Sequence, residues 1–439
     1  MDLAAAQGTT RALFDAAIAA VDVRAALARS LRVENERLVV PPAAFEIPLS
    51  AIGRLIVVAV GKAAAAMAAA AEDLLGDRIS GGLALTKYGH GQATRAIPVR
   101  EAAHPTPDAA GLAAAAELCT LLSDLTPDDL VICLISGGGS ALLTAPAAPI
   151  SLADLQVTTS LLLAAGANIN ELNVVRKHLE TLKGGGLARV AAPARVITLA
   201  ISDVLGDPLD VIASGPCSGN TSSFADAWTV IERRAIGEQL PRTVFEQLHA
   251  GLRGTIPALP RPDDPIFARV STAVIANLPR AAAAAALRAA ELGWQPEIGS
   301  LTIEGEASDV AAQIVAQATA LVPGGRRCLI MGGETTVTVR GDGIGGRNTE
   351  LALAAAIGIA GRSGIAVASV TTDGDDGPTG AAGAVAVGDT IARGAALGLA
   401  AADFLARNDS ATYFRTVGGL IISGPTRTNV ADLYFVLSE

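Results

Sequence analysis

Aromatic side chains are scarce in this chain: Phe, Trp and Tyr make up 3% of its 439 residues. The apolar 51% is therefore mostly alanine, valine and leucine, which is ample for large buried cores. Cys119, Cys133, Cys217 and Cys328 show no paired spacing, which excludes a disulfide framework or a zinc site and leaves buried reduced thiols. The histidines, His90, His104, His178 and His249, are scattered without an HExxH pattern. No clean run of about 20 apolar residues appears, so a membrane span is not expected, and the mean hydropathy of +0.44 reflects the alanine load. The N-terminus lacks a basic start, and Asp15 and Asp22 interrupt its apolar helix; a signal peptide is not expected and the default location is cytoplasmic. A net charge of −10 argues against nucleic acid or an anionic membrane as a partner.

What the chain does have is a repeated local pattern. Leu55–Val60, Leu130–Ile135, 196–201, 274–276, 329–331 and 365–370 are short apolar, β-rich runs, each breaking into a small, polar or glycine-rich loop before helix-like sequence resumes. Continuous runs of this kind are the signature of parallel strands covered on both faces, and ligands in such sheets bind beyond the carboxyl ends of the strands. Lys62, Asp203, Glu334 and Asp373 lie in those loops, where an anion and a metal would be handled. The pattern predicts an enzyme. At this length two or three domains are expected. Proline-rich residues 252–266 are the best linker, separating an N-terminal doubly wound, Rossmann-like parallel sheet (1–255) from a C-terminal mixed-sheet α/β domain (256–439) that begins with a strand at 270–276. Residues 335–340 alternate threonine with valine, predicting a half-exposed antiparallel strand.

The loops differ in what they imply. Ser136, Gly137, Gly138, Gly139 and Ser140 follow a buried strand; consecutive glycines let backbone N–H groups converge on one anion, and the serines add hydroxyl donors. A tight turn that lets a helix pack close is the competing reading. Gly61-Lys62 is no Walker loop, and spacing leaves its lysine equally suited to phosphate or to solvent. Residues 341–346 match G-x-G-x-x-G nominally, but the preceding strand alternates, unlike the buried first strand of a dinucleotide site. The same loop leads into Arg347 and Asn348, and a guanidinium there suits phosphate or carboxylate. Asp373, Asp375 and Asp376 suggest a Mg²⁺ holder or a surface turn. Asp203 offers a general base, a second metal ligand or a helix cap.

Over nearly its whole length the sequence resembles the glycerate 2-kinase family, whose C-terminal half is called the MOFRL domain and whose members often carry the label hydroxypyruvate reductase. The resemblance rests on residues 60–62, 104–108, 136–142, 172–179, 183–185 and 212–216. In the second half it continues through 332–336, 345–348, 373–383, 408–410, 423–426 and 428–430. It implies two α/β domains with the active site in the cleft between them, ATP with a divalent metal such as Mg²⁺, and D-glycerate as acceptor. It also implies a strand-end lysine and a glycine-loop arginine near the reacting phosphoryl group, which are Lys62 and Arg347 here. Asp203, Glu334 and Asp373 match acidic positions: Asp203 is the candidate base, Asp373 and Glu334 the metal ligands. The Ser136–Ser140 loop and Asn348 are assigned to substrate or nucleotide. A homodimer is compatible with this reading. Leu205, Cys217 and Arg427 depart from the family pattern around these loops. The rival readings are an NAD(P)H-dependent hydroxypyruvate reductase and a non-catalytic binding module.

Overall fold

The computed structural model describes residues 1–320 and 325–439. The chain divides into two compact units, Ala26–Ile275 and Met1–Ala25 with Ala276–Glu439, called here the N-terminal and C-terminal units.

The N-terminal unit is built on a six-stranded sheet. In spatial order the strands are Val99–Ala102, Gly81–Lys87, Leu55–Val60, Leu130–Ile135, Arg195–Ile201 and Val270–Ala276. Numbered along the chain this is 3-2-1-4-5-6, the doubly wound order in which ligands bind where the strand order reverses. The pairs joining the first five strands are parallel. Leu55–Val60 and Leu130–Ile135 are buried along their full lengths, as their unbroken apolar runs require. Helix Ala64–Leu75 covers the sheet with a face of Ala64, Ala65, Met67, Ala68 and Ala71. Such short side chains let a helix back close onto strands, so this core needs few aromatic rings. Helices Leu152–Ala164, Ile169–Leu179, Phe224–Arg233 and Arg242–Leu252 form a subdomain with its own apolar cluster around Leu162, Val175 and Ile231.

The expected start of the second domain is corrected here. Val270–Ala276 is the edge strand of the first sheet, hydrogen-bonded beside Arg195–Ile201. The proline-rich stretch before it is tied to the N-terminal unit, with Asn220 N–H donating to Pro260 O at 2.8 Å and Arg189 Nη2 to Ala258 O at 2.7 Å.

The C-terminal unit holds a seven-stranded mixed sheet. Its path runs Gln295–Ile298, Arg327–Thr336, Asp432–Ser438, Ile365–Thr371, Gly383–Val387 and Leu420–Ile421, with Ile303–Glu306 also paired to Arg327–Thr336. The N-terminal helix Leu3–Val21 belongs to this unit, burying Ala6, Thr10, Leu13, Phe14, Ala17 and Val21 along one face and receiving a hydrogen bond at Val21 O from Thr428 Oγ1 at 3.1 Å.

Two local expectations also change. Gly332, Gly333 and Glu334 lie inside the Arg327–Thr336 strand, because a Cβ on Gly333 would overlap Ile303 O and only glycine admits so close a neighbour. Residues 337–340 leave the strand. Their backbone is held by side chains instead, Thr338 N–H by Glu306 Oε1 at 2.9 Å and Arg340 N–H by Asn408 Oδ1 at 2.7 Å. Among the described residues no helix is long and apolar enough to cross a membrane.

Candidate active site

In the N-terminal unit the loops after strands Leu55–Val60 and Leu130–Ile135 meet at the point where strand order reverses. They are laced together: Ser136 N–H donates to Val60 O at 2.9 Å, Lys62 N–H to Gly137 O at 2.8 Å, and Ala63 N–H to Ser136 Oγ at 3.0 Å. Gly61 has φ +124° and lies so near Ser136 that a Cβ would overlap its hydroxyl and carbonyl, so glycine is required there on both counts. The predicted serine thus has a structural task, since its hydroxyl organises the lysine loop.

Beyond Ser136 the backbone opens. Gly138 has φ +81° and starts the short helix Gly139–Leu142. The N–H groups of Gly138, Gly139 and Ser140 make no backbone hydrogen bond among the described residues, and amides so oriented suit an anion. Asp203 lies directly against Gly137, where a Cβ would overlap its Oδ2. Lys62 and His104 lie against Gly138, their Cγ and Cδ2 each 3.1 Å from where a Cβ would stand. The Lys62 ammonium makes no hydrogen bond or ion pair among the described residues. Ser140 Oγ and Ser214 Oγ are 2.7 Å apart, and Ser214 Oγ also donates to Asn173 Oδ1 at 3.2 Å.

The fold adds residues that sequence reasoning missed. His104 loses affinity for its proton, to a pKa of about 4, through burial and the positive charges of Lys62, Lys87 and His90; His90 Nδ1 is 3.3 Å from Lys62 O. Lys87 ends the strand beside Leu55–Val60, a strand-end position like that of Lys62, and His104 follows the next strand. Strand ends were the available signal. The result is a cationic rim with a neutral imidazole, placed against open amides.

The C-terminal unit carries the other predicted residues. Arg347 opens helix Arg347–Gly358 and donates Nε and Nη2 to the two oxygens of Asp432 at 2.6 and 3.0 Å, while Nη1 donates to Glu334 Oε1 at 2.9 Å. Burial opposes the guanidinium's charge, but Asp432, Glu334 and Asp373 together hold its pKa above the ordinary arginine value. Asp432 was not singled out in the sequence; in the fold it opens the strand Asp432–Ser438. Asp373 accepts at Oδ1 from Thr371 Oγ1 at 2.9 Å and Asp375 N–H at 3.1 Å. Asp376 caps the Arg347–Gly358 helix, receiving Asn348 N–H at 3.0 Å and Thr349 N–H at 2.8 Å. Asn348 is buried, with Oδ1 bonded to Ser369 Oγ at 2.6 Å and Nδ2 to Asp376 at 3.3 Å. Its amide is thus committed to the helix start and leaves little for a ligand. Asp373 and Glu334 are both within electrostatic range of Arg347, but among the described residues no group of three or more His, Cys, Asp or Glu is arranged around one metal position.

The G-x-G-x-x-G loop at 341–346 has the opposite character to the Ser136–Ser140 loop. Four of its six amides are taken up by the protein: Gly341 N–H by Asn408 Oδ1, Gly343 N–H by Arg407 O, Ile344 N–H by Asp409 Oδ1 and Gly346 N–H by Thr349 Oγ1. Its glycines admit the 407–410 backbone, with Arg407 O 2.6 Å from a Cβ on Gly343 and Asn408 O 2.7 Å from one on Gly345. It is a packing loop.

Comparison with known proteins follows the same division. A family model described as a domain of unknown function (DUF4147) matches residues 9–249, and one described as the MOFRL family matches 327–432. The chain is 39% identical over 427 residues to a glycerate 2-kinase of Pyrococcus horikoshii, covering 96% of this chain and 94% of that one. It is 42% identical over 396 residues to an Agrobacterium vitis protein named as a hydroxypyruvate reductase, covering 88% of this chain and 100% of that one. In three dimensions it is similar to the crystal structure of a glycerate kinase from Thermotoga maritima, with a TM-score of 0.88 and 36% identity over 99% of this chain and 100% of that chain. Similarity that covers nearly the whole of both chains shows that this chain belongs to the glycerate kinase family.

Proposed function

We propose that this protein is a cytoplasmic kinase that transfers the γ-phosphoryl group of ATP to the carbon 2 hydroxyl of D-glycerate. The observation that carries the reading is the strand-order reversal of the N-terminal unit, where the Lys62 side chain, with no partner for its ammonium among the described residues, packs against Gly138 of a loop whose Gly138, Gly139 and Ser140 amides make no backbone hydrogen bond. Phosphoryl transfer needs little covalent chemistry from a protein; positioning and charge neutralisation do most of it. Open amides and a free lysine supply both. Lys62 offsets charge on the phosphoryl group, a task the resemblance also gives Arg347. Asp203, held against Gly137, is the acceptor for the substrate's hydroxyl proton.

A divalent cation belongs to the same reading. The donor set suits an ion carried in on nucleotide phosphates, since Mg²⁺ takes one or two carboxylates and completes its shell with phosphate oxygens and water. Asp373 and Glu334 are the carboxylates that would hold it, and the ion would neutralise phosphate charge. The reductase reading lacks a comparable feature, because the glycine loop that nominally matches a dinucleotide fingerprint has spent most of its amides on the protein itself.

The test is a pair of assays. Incubation with ATP, Mg²⁺, D-glycerate and enolase, without phosphoglycerate mutase, should yield phosphoenolpyruvate. A product that requires the mutase would be the 3-phosphate and would overturn the regiochemistry. Oxidation of NADH or NADPH by hydroxypyruvate, with no ADP release from ATP and glycerate, would overturn the kinase reading itself.

A further inference from the structure

Resting on the kinase reading, we propose that Arg176 is the anchor for the substrate's carboxylate. The acceptor is a hydroxy acid anion, and it must be held beside a polyanionic donor by a protein that is itself acidic. A dedicated cation is needed for that carboxylate.

Helix Ile169–Leu179 places Arg176 one turn after Asn173, on the same face. Asn173 Oδ1 accepts from Ser214 Oγ, and Ser214 pairs with Ser140 of the open loop. The residues that follow the helix are joined to the segment just after the loop. Glu180 Oε2 accepts from Ala145 N–H at 3.1 Å, and Lys183 Nζ donates to Leu143 O at 2.9 Å. Arg176 is in electrostatic range of both Glu180 and Lys183. The helix and the residues just after it are therefore tied to both ends of the loop's short helix.

The cations near this face are not equivalent. Lys177 pairs with Asp210 at 3.3 Å, and fully buried Lys183 pairs with Glu180 at 2.7 Å. Arg176 has no hydrogen bond and no ion pair within 4.0 Å among the described residues. Glu180 already serves Lys183 and the Ala145 amide. Burial lowers the pKa of Arg176 against a partial offset from Glu180, so its charge is desolvated and poorly compensated. A half-buried guanidinium in this state gains most from an incoming anion. Its planar fork matches the two oxygens of a carboxylate, which a lysine ammonium does not.

Initial rates with D-glycerate and ATP test the assignment in the wild type, Arg176→Gln and Arg176→Lys. The KM for D-glycerate should rise by roughly 100-fold in Arg176→Gln, with kcat and the KM for ATP within about threefold of wild type. Arg176→Lys should recover part of the loss. The wild type should prefer D-glycerate over its uncharged amide, and Arg176→Gln should lose that preference. Millimolar guanidinium ion added to Arg176→Ala should lower the KM for D-glycerate, a response that a folding defect would not show. An unchanged KM for D-glycerate in Arg176→Gln, or a rise in the KM for ATP in its place, would overturn the assignment and leave the kinase reading standing. Absence of glycerate phosphorylation in the wild type would overturn both.

Discussion

Arg347 and Asp432 form a two-pronged ion pair, Nε to Oδ2 at 2.6 Å and Nη2 to Oδ1 at 3.0 Å, with the carboxylate fully buried. The pairing fixes the plane of the guanidinium, and Glu334 takes a third N–H. Burial pushes the Asp432 pKa up to about 6, with the Arg347 hydrogen bonds pulling the other way. Asp432 is thus ionised at pH 7 and takes a proton as pH falls through about 6. Its folded pKa lies above that of an unfolded carboxylate, so between about 6 and 4 the native state binds the extra proton and this group does not promote unfolding. An acid loss of turnover with a midpoint near pH 6 is expected while the fold persists. The limb should vanish in Asp432→Asn, whose kcat at pH 7 should already be reduced about tenfold or more; identical kcat profiles from pH 5 to 8 would refute this.

The two cations named by the resemblance should fail differently. Lys62 has no partner among the described residues to abandon, so Lys62→Ala should lower turnover by about a hundredfold or more and leave urea unfolding unchanged. Arg347→Ala should cost turnover similarly and also strand a buried carboxylate, at about 3–5 kcal/mol of stability. Adding Asp432→Asn to Arg347→Ala should restore most of the stability and none of the turnover. Equal unfolding midpoints for the two single variants would contradict this account.

Gly137 and Gly8 make a matched pair of glycine tests. A methyl group on Gly137 would collide with Asp203 Oδ2, so Gly137→Ala should displace the proposed base and lower kcat by about tenfold or more. At helical Gly8 a Cβ meets nothing within 4 Å, and Gly8→Ala should stabilise by about 0.5–1 kcal/mol without touching kcat. Full activity in Gly137→Ala would remove Asp203 from the chemistry.

His104 should leave a mark on stability. Its folded pKa of about 4 lies below the ordinary 6.5, so the unfolded chain binds the proton first as pH falls. Its contribution is complete above pH 6.5, declines between 6.5 and 4, and changes no further below 4. Wild type should therefore lose more unfolding free energy between pH 7 and pH 5 than His104→Gln does. Parallel losses in urea titrations at the two pH values would rule out the depressed pKa.

Much of the N-terminal unit was readable because its central strands are covered on both faces, and continuous Leu, Val and Ile runs have few other uses. The loops carrying Lys62 and Ser136–Ser140 were visible for the same reason, as interruptions in that text. Local pattern also encoded the alanine helix Ala64–Leu75. What it could not encode was pairing. Gly61 and Ser136 touch because the strand order reverses there, and nothing near either residue records that. The Val270–Ala276 strand joined the first sheet, and Leu3–Val21 joined the last, through long-range packing that a linker-like composition conceals. Glycines read as loops at 332–333 turned out to be strand positions crowded by a neighbour's backbone. Asp432 looked ordinary, and His104 and Arg176 stood out only as parts of the family pattern, because a side chain's charge acquires its consequence from burial and partners. Sequence determined which segments are strands, helices and open loops; tertiary structure decided which loops face one another and which charges are left without a partner.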